Sequence, residues 1–263
     1  MTYNPKINEI IAQVAEVAGY LWDRGWAERN GGNISYNLTE YADETLQRLP
    51  GIGEPKKLPM SMPHLGGHLF LVTGTGKRMR YVHSNPMENA SIIRVAQDGK
   101  SYQIVAEKEI IPTSELPSHL LIHDYIAAAC RNEHAVIHTH PTELVAMTHN
   151  PSFLQKDAMG TLLWSMIPET RAFCPKGLGI VPYCVPGSTE LAQRTVDELR
   201  YYDVVMWEKH GAVAIGSDAI EAFDQIDTFS KSAKIYLAGC SMGFRPQGMS
   251  CEQMDELKNI FGL

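Results

Sequence analysis

Cysteine is scarce and unpaired in this chain. The five present (Cys130, Cys174, Cys184, Cys240 and Cys251) are an odd count with no close-spaced pair. That excludes a disulfide framework and a C-x-x-C metal or redox site, and leaves free thiols of a reducing cytoplasm as the expectation. Positive charge is also short: 23 Lys and Arg stand against 30 Asp and Glu, the net charge is -7 and the pI is about 5.8. With no Lys/Arg stripe, nucleic acid is excluded as the main partner. A small phosphorylated substrate is not excluded, because backbone amides hold phosphate without many cations. No apolar run approaches spanning length, and MTYNPKINEI lacks the basic and apolar regions of a signal peptide. The P-loop pattern and H-E-x-x-H are both missing, which removes those two readings. No repeat, low-complexity tract or domain boundary appears, so one domain is expected over residues 1–263.

What is there is an ordinary globular composition, 44% hydrophobic and 20% charged, long enough to bury a sizeable core. Ile7, Ile10, Ile11, Val14, Ala18 and Leu21 predict an amphipathic helix from about Lys6 to Arg24, stopped by Gly25. Strands are predicted at 34–38, 69–72, 135–137, 179–183 and 204–207, and 91–96 with 101–106 reads as a hairpin whose Asp98-Gly99 signals a type I′ turn. The Pro- and Gly-rich stretch from Thr39 to Gly67 is expected to be irregular, with a short helix near 41–47. Thr113 or Ser114 is placed as the cap of a helix running to about Cys130, with Pro117 in its first turn. Further helices are expected at 141–149, from Gly187–Glu190 to Leu199, over Ala219–Ala238 closed by Gly239, and after the Ser250/Gln253 capping box.

Three stretches invite a chemical reading. In Ala135-Val136-Ile137-His138-Thr139-His140, alternation along a strand puts His138 and His140 on one side and Thr139 on the other. With His210, which precedes Gly211 after another apolar strand, they make three nitrogen ligands, the pattern of a catalytic rather than a structural zinc site. Asn30-Gly31-Gly32-Asn33 reads on its own as an ordinary turn whose amides could also line an anion pocket, and Thr73-Gly74-Thr75-Gly76-Lys77 resembles a phosphate cradle of small hydroxyls, glycines and a lysine. Glu115 at the start of a helix is explained by dipole chemistry alone. His119 and His123, four apart, are read as structural or as helix-surface residues.

The ordered set Asn30-Gly31-Gly32-Asn33, Thr73–Lys77, Pro112-Thr113-Ser114-Glu115, His138-x-His140 and His210-Gly211 resembles the class II aldolase/epimerase family of zinc sugar-phosphate enzymes. The likeness runs in order over nearly the whole chain and is poorest from Ala42 to Leu65 and in the helix leading to Glu169. It implies an α/β single domain with a mixed, mostly antiparallel central sheet flanked by helices. It also implies one Zn²⁺ per subunit on His138, His140 and His210. Asn30, Asn33, Thr75, Thr113 and Ser114, with the amides of Gly31, Gly32 and Gly76, would bind the substrate phosphate. Glu115 would be the acid/base at carbon, and Glu169 a second functional carboxylate working on a neighbouring subunit's site in a homotetramer. The implied reaction is aldol cleavage of a ketose 1-phosphate to dihydroxyacetone phosphate and an aldehyde. A pentulose-phosphate 4-epimerase is the alternative on the same site, and a non-catalytic scaffold like the head domain of adducin is the alternative from another class.

Overall fold

The computed structural model describes residues 3–262. The chain opens with α1 (Pro5–Asp23), capped by the Asn4 side chain on the Ile7 amide and ended by Gly25 at φ +73. Then follow β1 (Asn33–Asn37), α2 (Glu44–Gln47), β2 (Ile52–Lys57), β3 (Leu69–Thr73), α3 (Met79–Ser84) and α4 (Pro86–Asn89). The hairpin β4 (Ala90–Val95) and β5 (Ser101–Ile104) leads to α5 (Leu116–Ala128), β6 (Ala135–Thr139) and α6 (Thr142–Met147). Next come α7 (Ala158–Met166), α8 (Pro168–Phe173), β7 (Leu178–Val181), α9 (Thr189–Leu199), β8 (Val204–Trp207) and β9 (Gly211–Gly216). The long α10 (Ala219–Ser241) and α11 (Cys251–Phe261) close the described chain.

The strands form one nine-stranded sheet in the order β2-β5-β4-β3-β1-β6-β9-β8-β7. Every neighbouring pair is antiparallel except β7 with β8, so the sheet is mixed and mostly antiparallel. Alternation sorts its two faces. Ile34 and Tyr36 of β1, Leu69 and Leu71 of β3, and Ala135 and Ile137 of β6 pack in one core with α1, α3, α6, α7 and α10. Val136, Val205, Trp207, Val213 and Ile215 face the opposite way, against α5 and α9. The site residues come from this second face. No helix among the described residues is long and apolar enough to cross a membrane.

Several sequence expectations need correction. The stretch after Thr39 holds a real strand, β2, at the sheet edge; it carries Gly53 at φ +66 and shifts register against β5. Proline and glycine are tolerated there because an edge strand leaves one row of amides unpaired. The β4–β5 turn is wider than type I′: Gly99 takes φ +66 and donates to the Ala96 carbonyl, while Asp98 is absent from the residues of positive φ. Type I′ needs positive φ at both central residues. Helix α5 begins after Glu115, not after Thr113 or Ser114. Gly239 lies inside α10 rather than ending it, and a Cβ there would lie 2.3 Å from Pro246 Cγ. The packing of the following loop, not helix termination, accounts for that glycine. The Ser250/Gln253 capping box forms as read, and α9 starts within Gly187–Glu190 as expected, with Ser188 as its cap.

Candidate metal centre and carboxylate

His138 and His140 sit at the end of β6, and β9 lies antiparallel beside it with Thr139 opposite Ala212. The turn from β8 to β9 brings the third imidazole. Trp207 pairs with Gly211, the His210 amide donates to the Trp207 carbonyl (3.0 Å), and Lys209 takes φ +59 with its amide on Thr148 Oγ1 at 2.9 Å. One nitrogen from each of His138, His140 and His210 then lies within 4.8 Å of the other two. Thr139 points away, its hydroxyl donating to the Trp26 carbonyl at 2.8 Å. Trp207 walls the cluster, its ring 4.4 Å from His138 and 5.1 Å from His210, with its indole N–H fixed on Thr195 Oγ1.

The donor set suits a divalent cation. His138 Nδ1–H donates to the Ala212 carbonyl (3.0 Å) and His140 Nδ1–H to Glu28 Oε1 (2.7 Å), so in the neutral tautomers both Nε2 atoms carry lone pairs. Those two lone pairs face each other across 3.2 Å. That separation is close to the edge of a tetrahedron with metal–nitrogen bonds of about 2.0–2.1 Å. Burial and the neighbouring imidazoles hold His138 well below the ordinary histidine range, and burial lowers His210 as well, which favours the neutral form a metal ligand needs. His210 Nδ1 is buried without a protein partner.

Glu115 completes the centre. It occupies the cap position of α5, yet its side chain makes no capping bond. It is 7% exposed and turned inward, with Oε2 3.5 Å from His138 Nε2 and Oε1 3.6 Å from His210 Nε2. Asn33 Nδ2 donates to Oε2 at 2.8 Å. Capping therefore does not explain this carboxylate.

The loops singled out from sequence meet here. Asn33 lies opposite His138 in the β1–β6 register. The Thr75 amide donates to the Ile111 carbonyl and the Thr113 amide to the Thr73 carbonyl, zipping residues 73–76 to the segment before Glu115. Asn30, Thr75, Gly76 and Ser114 are exposed, whereas Thr113 is buried. The Gly31 amide already donates to the Glu28 carbonyl at 2.7 Å. A Cβ on Gly31 would come within 3.0 Å of the His140 ring. That close approach, more than turn formation, requires glycine at this position.

The description "Class II Aldolase and Adducin N-terminal domain" belongs to the family model matching residues 12–237. The chain belongs to this family. Among its class II relatives, a rhamnulose-1-phosphate aldolase of Bacteroides thetaiotaomicron is 54% identical over 98% of this chain and 96% of its own length. One from Escherichia coli is 36% identical over 92% of this chain and 89% of its own. The crystal structure of a sugar-phosphate aldolase from Thermotoga maritima superposes with a TM-score of 0.80 at 33% identity, covering 92% of this chain and all of that one. The sheet and flanking helices are thus those of a class II aldolase.

Glu169 is not brought to this class II centre within one chain. It is exposed near the start of α8, beside a cavity of about 580 Å³ lined also by Arg24, Glu143, Lys231 and Lys234 but by none of the three histidines. His119 and His123 are each 1% exposed, so of the two readings given above the structural one holds and the helix-surface one does not. Burial holds His119 down to about 4 and pushes His123 well below its usual range. Sequence reading also missed Glu28, whose only sign was its place two residues before Asn30. Converting Glu28 to alanine removes the acceptor that fixes the His140 tautomer, and metal affinity is expected to fall roughly 10–100-fold. Competition against a chelator of known affinity measures this.

Proposed function

We propose that this protein cleaves L-rhamnulose 1-phosphate to dihydroxyacetone phosphate and L-lactaldehyde, with Zn²⁺ held by His138, His140 and His210. One observation carries the reading: an uncapping, buried Glu115 carboxylate 3.5–3.6 Å from two histidine nitrogens, in a chain 54% identical to a rhamnulose-1-phosphate aldolase.

Zinc on this triad supplies Lewis acidity toward a substrate oxygen that becomes negative as the C3–C4 bond breaks. The chain does the rest. As the C4 hydroxyl gives up its proton and its oxygen becomes the aldehyde carbonyl, Glu115 gives a proton to C3 of the departing three-carbon unit; in the reverse direction its carboxylate removes that proton while the new C4 oxygen is protonated. The Asn33 N–H on Oε2 leaves Oε1 as the oxygen that carries the proton. Asn30, Thr75, Thr113 and Ser114, with the amides of Gly32 and Gly76, hold the phosphate, so that binding energy remote from C3 becomes orientation. Asn33 has a second amide proton to offer the same phosphate. The Gly31 amide joins them only by leaving the Glu28 carbonyl. Glu169 serves a neighbouring copy's site in a homotetramer, which fits its place beside a cavity that none of its own chain's three histidines lines. The five free thiols fit work in a reducing cytoplasm.

An assay of the metal-loaded protein on L-rhamnulose 1-phosphate, L-fuculose 1-phosphate and a pentulose phosphate, with product identification, tests the proposal. Lactaldehyde from the first substrate is expected, at a rate well above the others. No cleavage of L-rhamnulose 1-phosphate overturns the assignment, and epimerised product without cleavage points to the epimerase. A protein that binds no metal and turns over none of the three returns the scaffold reading.

A further inference from the structure

A second polar chain lies behind the metal centre, away from the metal ligands. Ser35 is wholly buried on β1 and His119 and His123 are each 1% exposed on α5. Ser35 Oγ is 2.7 Å from His119 Nδ1 and 2.9 Å from His123 Nε2, and His119 Nε2 is hydrogen-bonded to Asn33 Oδ1. The proton positions follow by elimination. Asn33 Nδ2 donates to the Glu115 carboxylate, so its Oδ1 must accept, and His119 Nε2 carries the proton. His119 Nδ1 then accepts from the Ser35 hydroxyl, whose oxygen accepts from His123 Nε2–H. This leaves His123 Nδ1 as a bare lone pair, and it is a buried nitrogen without a hydrogen-bond partner. The series runs in one direction, from His123 through Ser35, His119 and Asn33 to Glu115.

We propose that His119 is a positioning residue for the acid/base carboxylate: its Nε2–H, locked by Ser35 and His123, selects the one orientation of the Asn33 amide that holds Glu115 Oε2. The inference rests on the role assigned above to Glu115. Turned over, the Asn33 amide would set its own carbonyl oxygen against the carboxylate, which is repulsive in a buried setting. Nothing else among the described contacts of Asn33 Oδ1 fixes that choice. Two imidazoles on successive turns of α5, aimed at β1, thus act through a side chain that touches the carboxylate.

The test uses metal-loaded enzyme and exchange of the C3 protons of dihydroxyacetone phosphate with deuterated water, per mole of dihydroxyacetone phosphate bound by calorimetry. Scaling to bound ligand removes any inactive fraction. His119→Met fills the space without a donor and is expected to exchange roughly 10–100-fold more slowly with ligand affinity unchanged, the worth of one hydrogen bond to a charged group. His119→Gln offers an N–H near the old Nε2 and is expected to recover to within about threefold of wild type. Exchange by the Met variant at the wild-type rate overturns the proposal. So does a Gln variant as slow as Met, since packing rather than the donor would then matter. If His119→Met does not fold, Ser35→Ala carries the test, because it frees the imidazole to change tautomer; a wild-type rate there is equally fatal. Glu115→Ala separates the two readings. Wild-type exchange by that variant defeats the role of Glu115 itself, whereas an inert Glu115→Ala beside a fully active His119→Met defeats the relay alone.

Discussion

Gly211→Ala is expected to abolish metal binding and reduce cleavage to background, although no metal ligand is touched. A Cβ at this position would stand 2.4 Å from the Thr139 carbonyl oxygen, 2.8 Å from His138 Cε1 and 2.9 Å from His140 Cδ2. The carbonyl cannot retreat, because β6 is paired to β9 on one side and β1 on the other. Relief must come from β9 and its turn moving outward, which carries His210 away, or from both β6 imidazoles rotating. Either movement breaks the clustering of the three nitrogens within 4.8 Å. Overpacking of this kind also costs about 1–3 kcal/mol of stability, so a lower melting temperature should accompany the loss. Metal content after dialysis and the cleavage rate check the prediction. One equivalent of metal with a near wild-type rate would mean that the strands separate without moving the imidazoles.

The same close packing explains what the sequence showed and what it hid. His138 and His140 were legible because a strand's two-residue period fixes their common side whatever surrounds them, and His210 only in combination with them, because a glycine after it lets the backbone turn at a strand end. The core strands at Phe70, Ile137 and Val205 announced themselves by unbroken apolar runs. Strand β2 did not, since an edge strand needs neither an apolar run nor freedom from proline, and its pairing with β5 is visible only in three dimensions. Nor did β9, whose Gly-Ala-Val-Ala-Ile-Gly run carries small residues because it is buried from end to end. For His119 and His123 the structural and the helix-surface readings both stayed open, because the sequence pairs them only with each other. Their partners, Ser35 and Asn33, lie more than 80 positions away. Glu28 was hidden for the same reason, its histidine lying 112 positions downstream. A carboxylate at a helix start is ambiguous by sequence, and only the missing capping bond and the inward turn of Glu115 set the capping reading aside. Glu169 lines a cavity apart from the triad, and the role proposed for it needs a neighbouring copy that one chain does not hold.

The most informative single substitution is therefore Glu115→Gln, expected to lower kcat by roughly 10²–10⁴-fold while KM stays within a few-fold and metal remains bound. The amide preserves the shape of the carboxylate, and its oxygen still accepts the Asn33 N–H that now holds Oε2. What it lacks is a proton to give to carbon and a charge to take one back. The expected loss corresponds to about 3–5 kcal/mol in the barrier, more than removal of an ordinary hydrogen bond would produce. Stability sharpens the reading. The Glu115 side chain caps nothing, so its helix should lose little, and burying a neutral amide avoids the desolvation of a carboxylate. A melting temperature at or above that of the wild type, together with the fall in kcat, would separate a group retained for proton transfer from one retained for folding. A slow enzyme whose KM rises in step with its loss of kcat/KM would instead place Glu115 among the binding groups. In that case the proton at C3 must travel by another residue.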